Sequence, residues 1–551
     1  MKKNNNLKVR FLGGVGEIGK NMTAIEYGKD IIVIDAGLTF PSQDMPGVDI
    51  VIPDIGYLVA NKERVRGIFL THGHEDHIGC IPYLIKDLPS VPIYGTKMTL
   101  ALLEVKFAEF KITNAKLKCV KEGDRINAGV FNVEFIHVNH SISGACALAI
   151  TTPIGVIVHS GDFKIDLTPI NTEIINLSRL SEIGKKGVLL LLCESTNVER
   201  KGYTLSETQV GSTFERLFAE HAKRRLIIAT FSSNVYRLQQ ILTVAGKFKR
   251  KVALSGRSML KVAESATKVG ELIVPNDTLI DIDKIKNYAP KDVVIVCTGS
   301  QGEPMSALTR MTADDYPQVK ITQNDTVIIS ASPIPGNEKS IYQVINNLYK
   351  KGAQVVYESI ENVHVSGHAC QEELKIIHSI LNPRYFIPVH GEYRHLKKHA
   401  ILATQMGMKE SRILIPEIGD TAIVTQKNIK LGEKIQAGSR YVDGLNIDND
   451  DATIRDRVHL GEDGLIIVLC YLSSESGKSV QRPDLIVRGI GLNDKQTDEI
   501  KDILVKTLTS YNYKDFGEQS EFKKKIRASV RNYVIKKTKN NPMIIPIITE
   551  I

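Results

Sequence analysis

The sequence predicts an α/β protein built from three structural units. At 551 residues the chain is too long for one ordinary core. Residues 7 to about 200 consist of short apolar runs separated by Gly, Asp and Asn, which is typical of mixed or antiparallel sheet. From about residue 205, strand-like runs alternate with amphipathic helices, which predicts a parallel sheet covered by helices. The residues after about 450 follow a polar stretch and predict an α+β unit.

The first region is predicted to contain hairpins and few helices. The apolar runs Leu7–Leu12 and Met22–Tyr27 are typical of strands. The tight turn Tyr27-Gly28-Lys29-Asp30 predicts a hairpin, because it joins two strand-like runs and contains a glycine. Helices are predicted at Ile78–Lys86 and Lys97–Phe110.

The second region is predicted to alternate strand and helix. Its strands include Leu226–Thr230 and Val293–Thr298, and its helices include Val235–Phe248 and Ser340–Lys350. Another strand, Tyr385–Val389, follows this region. We therefore expect a parallel sheet in the middle of the chain, with a further strand after it that does not continue the alternation.

The composition excludes several classes of protein. No window approaches the roughly 18–20 apolar residues of a membrane helix, and the N-terminus lacks the apolar stretch of a signal peptide. We therefore expect no membrane span and a cytoplasmic location. The seven cysteines are scattered and form no C-x-x-C, which argues against a disulfide framework and a Cys-rich zinc site. The net charge of +9 is by itself a weak indication of an acidic partner.

The segment Glu521–Lys539 is predicted to be a helix with a basic outer face. Its apolar residues recur every four positions, and the segment carries eight lysines and arginines. Such a face is either simply solvated or contacts nucleic acid. The sequence leaves both interpretations open.

The segment Gly14–Gly19 matches the pattern G-x-G-x-x-G, but its surroundings do not fit dinucleotide binding. In a dinucleotide fold the third glycine lies in a helix that opens onto the pyrophosphate. Here the next residues, Asn21–Tyr27, have the pattern of a strand. A tight loop that needs glycine conformations, close to the active site, is the favoured interpretation.

The strongest chemical signal is the run H-x-H-x-D-H, formed by His72, His74, Asp76 and His77. It follows a strand-like run and precedes a predicted helix. Imidazole nitrogens and carboxylate oxygens are ligands that zinc and manganese accept, and the run contains no thiolate. Three histidines and one aspartate within six positions are hard to explain as surface or capping residues. The run therefore predicts a metal-dependent hydrolase.

Four residues cannot complete two metal sites, so further ligands are expected. His140, Asp162 and His390 each follow an apolar run, where a rigid sheet would direct side chains to one edge. A carboxylate such as Asp162 can bridge two metals. Each of the three could alternatively be a hydrogen-bonded structural residue. His137 and His159 lie inside strands and are expected to be structural.

Taken in order, these residues resemble the metallo-β-lactamase fold. Glu194, His368 and His390 resemble the added motifs of its nucleic-acid-acting β-CASP branch. The segments Phe11–Asn21 and Thr298–Pro304, together with Asn541-Pro542-Met543-Ile544, extend the resemblance to the bacterial ribonuclease J family over essentially the whole chain. One departure is Glu194, where that family's pattern has Asp, although the branch motif accepts either acid.

The resemblance implies an αββα sandwich with an inserted β-CASP α/β domain and a C-terminal α+β domain. Because His390 completes a site that begins at His72, the α/β segment between them must be an insertion. The expected bounds are 1–205 and 356–425 for the metallo-β-lactamase domain, 206–355 for the insertion, 426–450 for a linker and 451–551 for the last domain.

The resemblance also implies roles for the site residues. It assigns His72, His74 and His140 to one zinc ion, and Asp76, His77 and His390 to a second, with Asp162 bridging the two. The expected catalytic residues are Asp76, Glu194 and His368, of which His368 protonates the leaving oxygen or stabilises its charge. Manganese or magnesium could replace zinc in activity. The residues expected to hold a substrate phosphate are Ser233, Asn234, His364, Ser366, Gly367 and His368. Helix capping is an equally weighted interpretation for Ser233 and Asn234.

The implied function is that of an exoribonuclease that degrades single-stranded RNA from a 5′-monophosphate, cuts internally as well, and acts in messenger RNA decay and ribosomal RNA maturation. Histidine rather than valine at position 390 resembles the RNA-acting members. A homodimer or homotetramer through the C-terminal domain, RNA-degradation or ribosome-associated partners, and a structural calcium near Asp49 and Asp443 are further implications.

Three alternatives remain at this stage. They are a strictly endonucleolytic β-CASP enzyme, a hydrolase of small thioesters or lactones, and a non-catalytic RNA-binding paralogue. The insertion and the motif around His368 count against small substrates, and no expected ligand is missing.

Overall fold

The computed structural model describes residues 6–42, 44–170, 173–303, 305–334, 337–444, 446–448, 451–510 and 519–551. Pro304, most of the N-terminal segment before Leu7 and three positions of the expected linker lie outside these ranges. The chain divides into two compact units. The first comprises residues up to 40 and residues 51–440, and the second comprises residues 41–50 and those from 441 onward.

The first unit begins with a mixed sheet of eight strands. Antiparallel pairing joins its first three strands along the chain, and parallel pairing joins the next three to them. The last two strands along the chain pair antiparallel at the other edge. In spatial order the strands are Ile429–Leu431, Thr421–Val424, Leu7–Gly13, Met22–Tyr27, Asp30–Ile34, Val65–Phe69, Pro92–Gly95 and Lys116–Cys119.

A second sheet of six strands packs face to face against the first. In spatial order its strands are Tyr385–Val389, Val188–Glu194, Gly155–His159, Cys146–Thr152, Phe131–His137 and Arg125–Ala128. One buried core joins Phe11 and Ile32 of the first sheet to Phe135 and Leu190 of the second. A separate core lies under helices on the outer face of the second sheet. The predicted sandwich is therefore confirmed.

The third sheet is entirely parallel, as the alternating pattern predicts. In spatial order its strands are Leu279–Ile280, Lys251–Ser255, Val293–Cys297, Arg225–Ala229, Asp325–Ile329 and Gln354–Tyr357. This sheet lies, along the chain, between Val188–Glu194 and Tyr385–Val389, which are neighbouring parallel strands of the second sheet. The third sheet is therefore an insertion, and the chain returns from it to complete the sandwich.

The helices predicted at Lys97–Phe110, Val235–Phe248 and Ser340–Lys350 are confirmed, whereas the one predicted at Ile78–Lys86 is divided into Glu75–Ile78 and Ile81–Asp87. The described helices are Gly56–Ala60, Glu75–Ile78, Ile81–Asp87, Lys97–Glu109, Leu177–Lys186, Glu207–Glu220, Val235–Lys247, Arg257–Lys268, Ala307–Thr312, Glu338–Lys350, Gln371–Leu381 and Tyr393–Gln405. Short 3₁₀ turns occur at Lys62–Arg64, Ile282–Asn287, Pro290–Asp292 and Glu410–Arg412. A further strand covers Ile50–Pro53.

The stretch 426–450, expected to be a linker, contains regular structure in its described part. Ile429–Leu431 extends the first sheet, and Ser439–Asp443 pairs with Asn446–Asp448 as a hairpin. Its Gly and Asp residues suggest a loop, but the intervening β-branched and aromatic residues form backbone pairs. Turn-forming residues in the sequence do not by themselves reveal such short strand pairings.

The second unit is an α+β layer, as predicted. Its sheet is Asp484–Arg488, Leu465–Leu472 and Met543–Glu550, and its helices are Asp451–Asp463, Asp494–Ser510 and Gln519–Thr538. The apolar residues that recur every four positions in the last helix are all buried: Phe522, Ile526, Val530 and Val534. In the described part of the chain, no helix is long and apolar enough to cross a membrane.

Candidate active site

The H-x-H-x-D-H run spans the loop after the strand Val65–Phe69 and the short helix Glu75–Ile78, which contains Asp76 and His77. His72 and His77 are fully buried, whereas the side chain of Asp76 is about a third exposed. His74 has extended backbone and is the N-cap residue of the helix. The loop therefore places successive side chains on both sides of one point at the edge of the first sheet.

Three imidazole nitrogens converge at the first position. Nε2 of His72 and Nε2 of His140 each lie 3.1 Å from Nδ1 of His74. Two nitrogens on one tetrahedral zinc ion, at bond lengths near 2.0–2.1 Å, are roughly 3.3 Å apart. One nitrogen cannot hydrogen-bond well to two neighbouring rings at once, so a shared metal is the better explanation of this spacing. The residues fit a divalent ion.

Two carboxylates and two imidazoles form a second cluster. Oδ2 of Asp162 lies 3.2 Å from Nε2 of His77, and Oδ1 of Asp162 lies 2.9 Å from Nδ1 of His390. Oδ2 of Asp76 lies 3.5 Å from Nε2 of His77 and 3.4 Å from Nε2 of His390. Asp162 also faces the first cluster, at 3.6 Å from Nε2 of His72. Its carboxylate therefore lies between the two groups of ligand atoms.

The protonation states of the first cluster and of Asp162 suit metal binding, whereas burial of His77 is outweighed by the carboxylates of Asp162, Asp76 and Asp35, which raise its pKa. Burial lowers the pKa of His74 to about 4 and holds the pKa of His72 and His140 well below the usual range. Burial opposes ionisation of Asp162, but the nearby His390 and His77 outweigh it and lower the carboxyl pKa. Neutral imidazoles and ionised carboxylates are the forms that coordinate metals.

His368 lies beside the metal-ligand clusters, and one of its ring nitrogens lies within 4.8 Å of ligand atoms of His140 and Asp162. Its Nδ1 is 2.8 Å from Oε2 of Glu194, and its ring stacks edge-on against His140. Burial lowers the pKa of His368, but the Glu194 carboxylate outweighs burial and raises it to about 9. Glu194 is itself fixed, because its Oε1 accepts a hydrogen bond from the Phe163 amide at 2.9 Å. The side chain of His368 remains partly exposed.

Asp35 is a site residue that the sequence analysis missed. Its buried carboxylate lies 2.8 Å from Nδ1 of His77 and accepts hydrogen bonds from the Thr71 amide and hydroxyl, both at 2.8 Å. It therefore fixes the ring whose other nitrogen faces Asp162. The available signal was its position directly after the buried strand Asp30–Ile34, where a backbone φ of +56° also turns the chain.

Glu373 is a second residue that was missed. Its buried carboxylate accepts three backbone N–H groups, from Ile165 at 2.7 Å and from Thr204 and Cys370 at 2.8 Å each. It thus ties the loop after Asp162 to the loop after His368. The sequence showed only a glutamate near the start of a helix, which is ordinary capping.

The glycine-rich segment is a tight loop beside this site, as expected. Gly14 has a φ of +76°, and a Cβ there would lie 2.4 Å from Oδ1 of Asn21. The Gly14 carbonyl accepts the His390 amide at 2.7 Å. Nδ2 of Asn21 donates to the Asp76 carbonyl at 3.1 Å. The glycine therefore permits a close approach between two loops that carry site residues.

The predicted phosphate-binding residues lie in two segments, one at 233–234 and the other at 364–368. Nδ1 of His364 is buried and has no hydrogen-bond partner among the described residues, while the Gly367 carbonyl lies 2.7 Å from Nδ1 of His140. The Ser366 hydroxyl accepts a hydrogen bond from Nδ2 of Asn197 at 2.8 Å. Asn234 caps its helix, because its side chain accepts the Arg237 amide at 3.0 Å.

Arg237 links Asn234 to the His364 segment. Its Nη1 donates to the Val363 carbonyl at 2.9 Å. The ring of Phe231 lies 6.4 Å from that of His364. The start of the helix Val235–Lys247 is therefore adjacent to the His364 segment.

The expected structural histidines and calcium residues lie elsewhere. Nε2 of His137 lies 2.8 Å from the Glu173 carbonyl, and the Gly161 amide donates to Nδ1 of His159 at 3.1 Å. In the second unit, Asp49 accepts the Gly444 amide at 2.8 Å, and Asp443 forms an ion pair with Arg457. Among the described residues, the groups suited to hold a metal all lie at the site above. Calcium stays a prediction.

Comparison with known families first defines the class. Residues 15–174 match the metallo-beta-lactamase superfamily, and residues 352–416 match the Zn-dependent metallo-hydrolase RNA specificity domain. The chain is thus a metallo-hydrolase of the β-lactamase fold that carries an RNA specificity region. Residues 223–348 match the ribonuclease J beta-CASP domain, and residues 452–551 match the ribonuclease J C-terminal domain.

Full-length relatives define the family. Ribonuclease J2 of Bacillus subtilis is 40% identical, with all of both chains covered. Ribonuclease J of Synechocystis is 39% identical over 98% of this chain and 86% of its own, and that of Thermus thermophilus is 38% identical over 98% and 94%. The chain therefore belongs to the ribonuclease J family, and it is a β-CASP nuclease that binds RNA and metal.

One solved structure shares the fold. It is a protein of unknown function from Enterococcus faecalis, with a TM-score of 0.55 at 21% identity, covering 76% of this chain and all of that one.

Proposed function

We propose that this nuclease hydrolyses RNA with two metal ions, proceeding 5′ to 3′ from a 5′-monophosphate and also cutting internally, in messenger RNA decay and ribosomal RNA maturation. The observation that carries the proposal is the convergence of seven side chains on two adjacent positions. His72, His74 and His140 would hold one ion. Asp76, His77 and His390 would hold the other, with Asp162 between them.

The donor set supports zinc, since all seven ligand atoms are imidazole nitrogens or carboxylate oxygens. Manganese or magnesium could serve in activity. A bound metal pair would supply a nucleophile at neutral pH and would neutralise charge on a phosphoryl group. The protein's own contribution is to hold the ligands rigidly, which Asp35 and Glu194 support by fixing His77 and His368.

His368 is the proposed proton donor to the leaving oxygen. Glu194 holds Nδ1 at 2.8 Å, so the ring presents its other nitrogen away from that carboxylate. The side chain is partly exposed, as a group that meets substrate must be. Hydrogen bonding to an ionised carboxylate favours the protonated ring, which can give its proton to a departing alkoxide.

The proposed phosphate-binding residues are Ser233, Asn234, His364, Ser366, Gly367 and His368. Two observations support an anion there. Nδ1 of His364 is buried without a hydrogen-bond partner among the described residues. Burial, followed by the charges of Arg237, Arg200 and Lys164, lowers the pKa of His364, so the surroundings are cationic. If the 5′-terminal phosphate bound there, the first phosphodiester bond of the strand would lie at the metal site. Cleavage of that bond would release one nucleotide, as in an exonuclease.

The test compares two RNAs that differ only at the 5′ end. One carries a 5′-monophosphate and the other a 5′-triphosphate, and both are labelled at the 5′ nucleotide. We expect immediate release of labelled mononucleotide from the first and slow internal fragments from the second. Internal fragments alone from both would support a strictly endonucleolytic enzyme. Binding without cleavage would support the non-catalytic paralogue.

We also propose a homodimer or homotetramer through the C-terminal domain. Helices cover one face of its sheet. The other face carries Ile467, Ile486, Ile545 and Ile547, of which the last three are each about two-fifths exposed. Contiguous exposed apolar residues of this kind favour association. A cytoplasmic location and partners from RNA-degradation or ribosome-associated complexes stay predictions.

A further inference from the structure

The segment Glu199–Leu205, here called the rim loop, connects the motif around Glu194 to the inserted domain. Its backbone is held at several points beside His368. The Arg200 carbonyl accepts the Gln371 amide at 3.0 Å, and the Gly202 carbonyl accepts the Glu372 amide at 3.1 Å. The loop is therefore fixed to the start of the helix Gln371–Leu381.

Thr204 fixes the loop to the catalytic region itself. Its amide donates to Glu373 at 2.8 Å, and its hydroxyl donates to the His368 carbonyl at 2.7 Å. Because consecutive Cα atoms are about 3.8 Å apart, Tyr203 lies within one residue of a direct contact to His368. The Thr204 hydroxyl also lies 3.3 Å from the sulfur of Cys370, so the loop is fixed to the segment that carries His368.

The side chains of the same loop behave in the opposite way. Tyr203 is 60% exposed, and Arg200 and Lys201 are exposed. None of these three side chains forms a hydrogen bond or ion pair with any residue in the described ranges. A loop that is fixed through its backbone thus displays two cations and an aromatic ring to solvent. Such an arrangement loses little conformational entropy on binding a ligand.

The local charge balance leaves the two cations uncompensated. Two solvent-accessible acids near the loop already have cationic partners: Glu199 pairs with Arg394 and Lys398, and Glu372 pairs with Lys375 at 2.7 Å. The carboxylate of Glu373 is buried and accepts backbone amides. Glu207, at the end of the loop, pairs with Arg237 at 3.0 Å. Arg200 and Lys201 therefore add positive charge to the edge of the site, which suits the phosphates of a polynucleotide.

We infer that the rim loop is a binding subsite for single-stranded RNA, in which Tyr203 stacks on one nucleobase while Arg200 and Lys201 contact the adjoining phosphates. Aromatic rings next to basic side chains are the usual means of holding single strands without sequence preference. The inference rests on the proposed function, because the strand must reach His368 for the subsite to be used.

The test uses the full-length protein in a His368→Ala background, so that binding is measured by fluorescence anisotropy while cleavage is slow. Tyr203→Ala is compared with Tyr203→Phe, and Tyr349→Ala serves as the control because Tyr349 is similarly exposed on the helix Glu338–Lys350. We expect Kd for an oligoribonucleotide to rise roughly tenfold in Tyr203→Ala, as for loss of one stacked base. Tyr203→Phe and the control should bind normally.

Abasic substitution identifies the stacked base. Oligonucleotides that lack one base at a time should contain a position where base loss weakens binding, and Tyr203→Ala should remove the effect at that position. For Arg200→Ala and Lys201→Ala, the slope of log Kd against log salt should fall by about 0.7 per lost phosphate contact. Unchanged Kd in Tyr203→Ala, or equal losses in Tyr203→Ala and Tyr203→Phe, would overturn the subsite. Failure of the protein without these substitutions to cleave any RNA would instead overturn the proposed function.

Discussion

The metal-ligand cluster and the rim loop meet at His368, yet they are built in opposite ways. In the cluster, side chains such as His72, His77 and Asp162 are buried and each is held by another polar group. In the rim loop the backbone is held and the side chains of Arg200, Lys201 and Tyr203 are exposed. Chemistry requires fixed ligand atoms, whereas binding many RNA sequences requires adaptable contacts. Substitutions in the two regions should therefore change different quantities.

The largest expected effect is loss of a metal ligand. His74→Ala removes the nitrogen at the centre of the first cluster, so RNA cleavage should fall by roughly a thousandfold or more. The measurement is single-turnover cleavage, with circular dichroism to check the fold. Normal cleavage by a folded variant would show that His74 is not a required metal ligand. The contrast between the metal-ligand cluster and the rim loop would then be wrong.

His368→Ala should reduce the chemical step by about a hundred- to ten-thousandfold, as expected for loss of a general acid. Metal content should stay unchanged, because His368 lies beside the ligands and is held by Glu194. Elemental analysis of the purified variant separates the two roles. Loss of metal together with activity would make His368 a ligand.

Asp35→Asn tests the group behind the metal ligand. The amide keeps the size of the side chain but weakens its contact with Nδ1 of His77, now 2.8 Å long. Metal affinity or activity should fall by about ten- to a hundredfold. Titration with a zinc chelator measures the affinity, and Asp30→Asn, at the start of the strand that precedes Asp35, is the control. Equal behaviour of the two variants would contradict the assigned role.

The smallest expected effects distinguish the two interpretations of Asn234. If Asn234 only caps its helix, Asn234→Ala should lower the free energy of unfolding by about 1 kcal/mol and leave RNA binding unchanged. Asn234→Asp keeps a capping acceptor but adds negative charge. A weaker preference for 5′-monophosphorylated RNA in Asn234→Asp, at unchanged stability, would indicate that Asn234 also contacts phosphate.

Much of this architecture could be predicted from local patterns. The change from sheet-rich segments to alternating strand and helix predicts the inserted sheet, and the four-residue period of Phe522 to Val534 predicts the last helix. The H-x-H-x-D-H run predicts a metal site, because its spacing places several ligands on one short loop.

The features that could not be predicted depend on contacts between residues far apart in sequence. Asp35 reaches His77 across 42 positions, and Glu373 reaches Ile165 across 208. Each is a single buried acid with no local pattern, so only the folded chain reveals its partner. The strands within 426–450 were missed for a related reason, since short edge pairings depend on neighbours distant in sequence.

The central claim is that His390, supplied after the inserted domain, completes the site that begins at His72. The most direct test is the metal content of the purified protein and of His390→Ala, measured by mass spectrometry of the bound ions. We expect about two ions per chain in the unaltered protein and about one in the variant, with RNA cleavage lost. An unchanged metal content, with cleavage retained, would contradict it.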